Sequence, residues 1–308
     1  MKTPVAVFTY NRPQHLARML QTLEACKRLP ECHVVFYCDG PRRPEDEALV
    51  AQNRAVVSAW ARRHSADVVL RDENFGLARS VVEGAGALCQ QYGRVIVLED
   101  DLLLAPDFLD FQLRALDHYA DDPRVMQVVG YIFPFEKNPP PGLLLFPLSS
   151  TQGWGTWARA WQQMTFDADA ALADLADPAR AQAFNLGGIY PYMKMLRQHR
   201  QRGNSWGVMF WYSVWRQGGL CVYSRQSLVG NIGFDGSGVN SGAAAHEGRA
   251  YTLDPRAGLP AGVPFPSGVD EALWQRYRAY IRRITPQPTL PQRARAWLRQ
   301  RLRAKENT

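Results

Sequence analysis

The sequence predicts an α/β fold in which helices flank a mostly parallel central sheet. Short apolar runs alternate with helical patterns over the first hundred residues, and every apolar run ends in polar residues. The runs are continuously apolar, which is typical of strands buried on both faces of a parallel sheet. With 308 residues, of which 46% are hydrophobic and 21% charged, the chain can bury a substantial core, so a wholly disordered or fibrous protein is excluded.

The first half is predicted to alternate strand and helix. Pro13 opens the first helix, because apolar residues recur every three or four positions over residues 16–23. The predicted strands are residues 5–8, 34–37, 68–70 and 95–98, and the other helices are residues 49–60 and 76–91.

Beyond residue 125 the pattern is less regular. Residues 153–157 are expected to form a loop that leads into a helix ending at Trp161, and residues 235–238 are expected to form a flexible loop. The predicted strands of this part are residues 125–133 and 143–146, and the predicted helices are residues 168–184 and 190–202.

The formal net charge of +7 is concentrated at the C-terminal end. Residues 286–308 carry a net charge of +5 and begin with a proline-rich stretch, so the rest of the chain is close to neutral. A nucleic-acid-binding protein is expected to spread its cations over a folded face. The pattern therefore indicates a basic tail with its own role and no nucleic-acid partner.

The cysteine content favours a reducing compartment. The five cysteines include no CxxC pair and no histidine at zinc-site spacing, so neither a disulfide framework nor a structural zinc site is predicted. The apolar stretch near the start is too short for a signal peptide, and no run is long enough to cross a bilayer. We expect a cytoplasmic protein.

Acidic residues follow the predicted strands directly. The carboxyl ends of parallel strands meet at one edge of the sheet, which is where ligands of such sheets bind. Glu99, Asp100 and Asp101 come after the fourth strand, and three adjacent carboxylates repel one another. A hard divalent cation, Mn²⁺ or Mg²⁺, would relieve that repulsion. The alternative is three solvated acids at the start of a turn.

Several short motifs occur in order along the chain. They are residues 8–13 (FTYNRP), 72–77 (DENFGL), 97–101 (VLEDD), 105–108 (APDF), 153–157 (GWGTW) and 231–238 (NIGFDGSG). With these motifs the chain resembles GT-A glycosyltransferases, most of all the N-acetylglucosaminyltransferase I group and bacterial relatives of the family 2 type. The resemblance covers about residues 3–242.

The resemblance implies a nucleotide-sugar-binding half over residues 1–125 and an acceptor-binding half of the same domain over residues 126–285, with the tail at residues 286–308. It implies a metal-dependent transfer from a UDP-sugar donor, with Asp101 as the ligand of the metal that bridges both phosphates. The donor-binding residues that it implies are Thr9, Arg12, Asp39, Asp72, Asn74, Arg79, Glu99 and Asp100.

Two of these assignments have plain structural alternatives. Asp39 precedes a glycine, which is a common turn pair, so it could serve the turn alone rather than the uracil ring. Arg79 could be an ordinary solvated helix residue rather than a diphosphate contact.

Tryptophans are the candidates for acceptor contact. Trp154 and Trp157 are framed by glycines, which suits stacking on sugar rings, and Trp206 is placed with them. The alternative is that these rings fill the core.

The chain departs from the family pattern at two places. Where many relatives have an acidic catalytic base after a Ser-Trp pair, this chain has Gly207, so Asp235 is the candidate base. Where relatives often have a metal-contacting histidine, this chain has Asn240, and His246 follows six residues later. We consider both as metal ligands, although a lone histidine in a loop can simply be solvated.

The tail is predicted to form a basic amphipathic helix. Ala294, Trp297, Leu298 and Leu302 share one side, and arginines surround the rest. Such a helix would lie on an anionic membrane surface and place the enzyme at the cytoplasmic membrane, which suits a lipid-linked acceptor. A solvated helix or a disordered end is the alternative.

The function expected from these observations is transfer of one sugar, N-acetylglucosamine or a related hexose, to a growing surface glycan with inversion. A sugar nucleotidyltransferase shares the architecture, but the first strand of such an enzyme leads into a glycine-rich phosphate loop, which residues 9–13 lack. A catalytically inactive glycan-binding protein would explain Gly207 and Asn240 together.

Overall fold

The computed structural model of the chain describes residues 1–203, 205–235, 252–254 and 257–286. Within these residues ten strands are present. They are β1 (Thr3–Thr9), β2 (Cys32–Cys38), β3 (Asp67–Leu70), β4 (Arg94–Glu99), β5 (Leu102–Leu104), β6 (Val125–Val129), β7 (Leu143–Phe146), β8 (Trp154–Trp157), β9 (Leu220–Ser224) and β10 (Val229–Asn231).

Ten α-helices accompany these strands in the same described ranges. They are α1 (Pro13–Glu24), α2 (Glu47–His64), α3 (Gly76–Tyr92), α4 (Phe108–His118), α5 (Ala158–Trp161), α6 (Ala168–Asp174), α7 (Pro178–Phe184), α8 (Tyr192–Arg202), α9 (Trp206–Arg216) and α10 (Glu271–Ile284).

Eight strands form one sheet in the order β3-β2-β1-β4-β8-β6-β9-β7. The four strands from the first hundred residues are neighbours and run parallel. The strands from the second part add β8 antiparallel to β4 and β6, then β9 parallel to β6, and β7 antiparallel to β9. β5 and β10 pair separately as a short antiparallel ribbon. The predicted α/β fold with a mostly parallel sheet and flanking helices is confirmed.

Both faces of the sheet are covered, because alternate residues of each strand enter different cores. Val5 and Val7 of β1 pack with apolar residues of α1, α2 and α4 in one core. Ala6 and Phe8 pack with α3, α9 and α10 in the other. The continuous apolar runs of the sequence are therefore explained by burial on two sides.

The third predicted strand is less buried than expected. β3 lies at the edge of the sheet, and Val69 and Leu70 are 40% and 53% exposed. A strand at the edge has only one neighbour to cover it, so its apolar run does not indicate burial on both faces.

Three expectations for the second part were wrong in their boundaries or type. The strand expected over residues 125–133 ends at Val129, where Gly130 donates its N–H to the carbonyl oxygen of Gly153. Residues Trp154–Trp157 form β8 between β4 and β6 rather than a loop. The helix expected over residues 168–184 is two helices, because Asp177 caps a new helix that begins at Pro178.

Several elements were not assigned from the sequence. α4, α9 and α10, with the short strands β5, β9 and β10, complete the two cores and cover the sheet. The five cysteines are buried free thiols. Among the described residues, no helix combines the length and apolar character that a membrane crossing requires.

We expect Gly130→Ala to destabilise the fold. A Cβ atom at this position would lie 2.6 Å from the carbonyl oxygen of Gly153, from a ring carbon of Phe108 and from a methyl carbon of Val229. Overpacking of this kind costs about 1–3 kcal/mol in the free energy of unfolding, measured by urea denaturation. Gly268→Ala is the control, because its Cβ would meet nothing within 4 Å, and its change should stay within about 0.5 kcal/mol. Equal stability of the two variants would contradict this packing.

Candidate active site

The carboxyl ends of the parallel strands bring the predicted donor-binding residues to one edge. β1, β2, β3 and β4 are neighbours in the sheet, and Phe8 stands opposite Glu99 in the register of β1 with β4. Thr9 and the first turn of α1 therefore lie beside the acidic residues that follow β4. This juxtaposition matches the sequence prediction for this edge.

Asp100 is fully engaged by the segment that follows β1. Its Oδ2 accepts hydrogen bonds from Thr9 Oγ1 at 3.1 Å and from the Tyr10 backbone N–H at 3.2 Å. Its Oδ1 accepts from Arg12 Nη2 at 2.5 Å. Asp100 is 3% exposed, so these partners replace the water that a carboxylate requires.

Asp101 shares the same arginine but faces a different element. Its Oδ2 accepts from Arg12 Nη1 at 3.0 Å, and its Oδ1 is 3.4 Å from Asn231 Nδ2. The backbone carbonyl of Asp101 accepts from Ile232 N–H at 2.9 Å, which ties the end of β10 to this turn. Asp101 is thus held between the N-terminal end of α1 and a segment from the second half of the chain.

Three acids lie at this edge, and Arg12 forms ion pairs with two of them, Asp100 and Asp101. Burial raises the pKa of Glu99 to about 8, and the charges of Asp101 and Asp100 add to the rise. Burial also raises the pKa of Asp101, against the opposing effect of Arg12. Burial alone would lower the pKa of Arg12, but the two aspartates raise it overall. The cluster can therefore accept more positive charge than Arg12 supplies.

The donor set fits a hard divalent cation only in part. The described residues contain no group of three or more histidine, cysteine, aspartate or glutamate side chains placed to hold a metal. Asp101 still offers Oδ1, a carboxylate oxygen whose one hydrogen bond is long. Asp101 could thus be a protein ligand to Mn²⁺ or Mg²⁺, with phosphate oxygens and water as the others. Asn240 and His246 lie outside the described residues.

Asp39 organises the neighbouring loop. Its carboxylate oxygens accept hydrogen bonds from the backbone N–H groups of Phe75 and Gly76, at 2.8 and 2.9 Å, at the N-terminal end of α3. Asn74 donates to the carbonyl oxygen of Gly40 at 3.0 Å, whereas Asp72 is exposed. Asp39 therefore stabilises the start of α3 rather than a local turn with Gly40, and its contact with a uracil ring stays a prediction.

Arg79 lies on the exposed side of α3. Its Nε donates to Glu83 at 2.7 Å, and its guanidinium stacks over the ring of Phe75 at 3.7 Å. Its contact with a diphosphate stays a prediction, since the side chain would have to leave Glu83 to make it.

The structure corrects the acceptor assignment of the tryptophans. Trp154 is 0% exposed and packs against Trp206 and Phe210, and Trp206 is itself only 4% exposed. Trp157 is also buried and donates its ring N–H to the carbonyl oxygen of Leu116. These rings fill the core, because β8 lies in the middle of the sheet rather than in a surface loop.

The side chain of Thr151 lies close to Gly207. A Cβ atom at position 207 would lie 2.9 Å from Cγ2 of Thr151. A side chain at this position would therefore require Thr151 to move.

Asp235 pairs with a histidine that the sequence analysis did not single out. Asp235 Oδ2 is 3.1 Å from His15 Nε2, and the Asp235 side chain is 47% exposed while that of His15 is 16% exposed. His15 stands three residues after Arg12 at the start of α1, so the two side chains lie near each other on the helix. That spacing is the sequence signal that could have identified His15.

Two further residues hold Thr9 and Tyr10 in place. Asn53 of α2 is 0% exposed and donates to Thr9 Oγ1 at 2.6 Å. Asp46 accepts from the Tyr10 hydroxyl at 2.7 Å. Neither residue belongs to one of the sequence motifs. Asp46 directly precedes α2 and Asn53 lies within it, so their contacts depend on where the tertiary fold places this helix.

The part of the chain that contains this edge of the sheet matches a known protein family. The family model described as glycosyl transferase family 2 matches residues 5–170, which is more than half of the chain and includes all the strand-end acids described above. The chain belongs to glycosyl transferase family 2. The predicted resemblance to GT-A glycosyltransferases is confirmed, while the N-acetylglucosaminyltransferase I-like group stays a prediction.

This family 2 chain is also similar to solved structures. It matches a crystal structure of S. aureus TarS 1-349 with 14% identity over 74% of this chain and 60% of that chain, at a TM-score of 0.44. It matches a crystal structure of GalNAc-T7 with UDP, GalNAc and Mn²⁺ with 11% identity. The match covers 75% of this chain and 44% of that chain, at a TM-score of 0.46. It matches a crystal structure of mouse xyloside xylosyltransferase 1 with 13% identity over 70% of this chain and 81% of that chain, at a TM-score of 0.36.

The family 2 chain thus spans less than two thirds of the TarS and GalNAc-T7 chains. No curated protein matches the sequence.

We expect Asp39→Ala to destabilise the start of α3. The substitution leaves two backbone N–H groups without their carboxylate partner, which costs about 1.5–3 kcal/mol in the free energy of unfolding by urea denaturation. Amide hydrogen exchange at Phe75 and Gly76 should accelerate. Asp72→Ala is the control, because Asp72 is exposed and should change stability by less than about 0.5 kcal/mol. Unchanged exchange at both amides in Asp39→Ala would contradict the capping role.

Proposed function

We propose that this family 2 glycosyltransferase transfers a hexosyl or N-acetylhexosaminyl group from a UDP-sugar to a saccharide acceptor with inversion at the anomeric carbon. The observation that carries the proposal is the buried pair Asp100 and Asp101, held by Arg12 at the carboxyl edge of the sheet of a chain that belongs to this family. A buried carboxylate pair at a ligand-binding edge suits binding of a metal cation that accompanies the anionic donor, rather than a structural role alone.

The donor is assigned to the edge formed by β1, β2 and β4. Asp39 and Asn74 border the place of the base, and Glu99 and Asp100 border that of the ribose and sugar, as the family resemblance implies. Thr9 is held against Asp100 and so would meet the nucleotide in a preset geometry, and Arg12 lies beside it as a further nucleotide contact. Arg79 is the candidate for the diphosphate.

Asp101 would hold Mn²⁺ or Mg²⁺ through a carboxylate oxygen. When bound, the cation supplies charge neutralisation to the leaving UDP oxygen as the glycosidic bond breaks. Asn240 and His246 are the further candidates for ligands to the cation.

Asp235 is the candidate catalytic base. Its carboxylate is half exposed and can be reached by an acceptor hydroxyl, whose proton it would accept as the hydroxyl oxygen attacks the anomeric carbon. His15 holds one carboxylate oxygen at 3.1 Å and so limits the orientations of Asp235. Gly207 carries no carboxylate, so the proposed base comes from another segment.

The acceptor is proposed to be a growing surface glycan or a lipid-linked saccharide. Because the tryptophans are buried in the core, other residues of the second half of the chain are proposed to contact the acceptor. The free thiols support a cytoplasmic reaction, and the basic tail supports attachment to an anionic membrane surface.

Incubation of the protein with UDP-sugars and Mn²⁺ separates the proposed function from its two alternatives. Release of UDP in an acceptor-dependent way supports glycosyl transfer. In a separate incubation with a sugar phosphate, UTP and Mn²⁺, formation of pyrophosphate would indicate nucleotidyl transfer. Binding of a glycan without turnover of any donor would indicate an inactive glycan-binding protein.

We expect Asp101→Asn to lower kcat/KM for the UDP-sugar by about 10²-fold or more, because the cation loses its protein carboxylate. The measurement is release of UDP under saturating Mn²⁺. Asp121→Asn is the control. It removes an exposed acid that is not among the strand-end acids of the site, so it should leave kcat/KM unchanged. Turnover of Asp101→Asn at the rate of the control would overturn the metal-assisted transfer.

We expect Asp235→Asn to lower kcat by about 10²-fold or more while the KM for the donor stays nearly constant, because a general base acts on the acceptor. His15→Ala should lower kcat by a smaller factor of about ten, since Asp235 keeps its chemistry but loses its orientation. Steady-state kinetics over both substrates give these values. If Asp235→Asn raises the donor KM and leaves kcat unchanged, Asp235 binds the donor and another group is the base.

A further inference from the structure

Arg12 bridges the two aspartates. The two terminal nitrogens of Arg12 each bind a different carboxylate, at 2.5 Å for Asp100 and 3.0 Å for Asp101. Both oxygens of Asp100 have partners, whereas Asp101 has one oxygen with only a long contact to Asn231. A cation that needs more than one oxygen of Asp101 therefore meets Arg12 as a competitor.

The backbone after β10 closes the same place from the other side. A Cβ atom at Gly233 would lie 2.1 Å from Asp101 Oδ2 and 2.9 Å from Arg12 Nη1. Gly233 is fixed in this position by its N–H, which donates to Asn231 Oδ1 at 2.7 Å. The backbone of Gly233 therefore packs closely against the Arg12–Asp101 ion pair.

We propose that Arg12 is the resident counter-ion of Asp101 in the nucleotide-free protein, and that a divalent cation binds Asp101 strongly only when a nucleoside diphosphate draws Arg12 away. The inference rests on the proposed function, because it concerns the cation and the diphosphate of that same site. The guanidinium fork matches a phosphate as well as a carboxylate, so the diphosphate offers Arg12 an equivalent partner. Asp101 then has both oxygens available for the cation.

The exchange makes the cation and the nucleotide bind cooperatively. In the nucleotide-free protein the positive charge of Arg12 repels a cation a few ångströms away and occupies one carboxylate oxygen. In the presence of the diphosphate both obstacles are removed, and linkage requires that each ligand raises the affinity for the other by the same factor. Arg12 would thus set the order in which the site fills.

The test is Mn²⁺ affinity of the full chain without nucleotide, measured by the free Mn²⁺ signal in electron paramagnetic resonance. Arg12→Gln removes the charge and the fork and should bind Mn²⁺ about ten-fold or more tightly than the wild-type protein. Arg18→Gln removes a charge from the exposed side of α1 and is the matched control, with an affinity close to that of the wild type. A second titration with UDP alone should show weaker UDP binding by Arg12→Gln.

Arg12→Lys keeps the charge but cannot span both carboxylates, so its Mn²⁺ affinity should lie between those of the wild type and Arg12→Gln. If Arg12→Gln does not fold, as judged by its thermal melting, tighter Mn²⁺ binding by Arg12→Lys than by the wild type supports the proposal. Equal or weaker Mn²⁺ binding by the folded Arg12 variants overturns it.

These outcomes are separable from failure of the proposed function. If the wild-type protein binds no Mn²⁺ even with UDP, and Asp101→Asn behaves in the same way, both the metal-assisted function and the exchange are overturned. If the wild-type protein binds Mn²⁺ with UDP through Asp101 but the Arg12 variants bind nucleotide-free Mn²⁺ no more tightly, only the exchange is overturned.

Discussion

The charge pairing of Arg12 with Asp100 and Asp101 determines how the first turn of α1 meets the end of β4. Two buried carboxylates without a cation would cost several kcal/mol, so the arginine and the acids must be placed together. The parallel register of β1 with β4 provides this placement, because it sets Phe8 opposite Glu99 and carries both chain segments past the same edge. The site depends on this register.

The second half of the chain completes the site rather than forming a separate one. β10 pairs with β5, directly after the acids, and brings Asn231 and Gly233 against Asp101. The segment that continues from β10 brings Asp235 to His15, one turn of helix from Arg12. Arg12, directly before α1, and His15 within α1 therefore contact acids from both halves of the chain.

The extent to which the site followed from the sequence varies with the residue. Asp100 and Asp101 were identified because an apolar strand delivers acids to a ligand-binding edge, and this reasoning needs only local pattern and topology. His15 and Asn53 were missed, since their contacts with Asp235 and Thr9 join residues far apart in the chain. The tryptophans were misassigned because their flanking glycines resemble those of a loop. Only the pairing of β8 with β4 and β6 shows that this segment crosses the middle of the sheet.

The sequence by itself determined the α/β class, the four parallel strands of the first half and the acids at their ends, because these follow from short-range hydrophobic pattern and from the geometry of parallel sheets. Only the tertiary structure decided that the Arg12 side chain pairs with Asp100 and Asp101, that the tryptophans lie in the core, and that His15 contacts Asp235. Each of these depends on contacts between segments distant in the chain, and such contacts are fixed by packing rather than by the residues on either side.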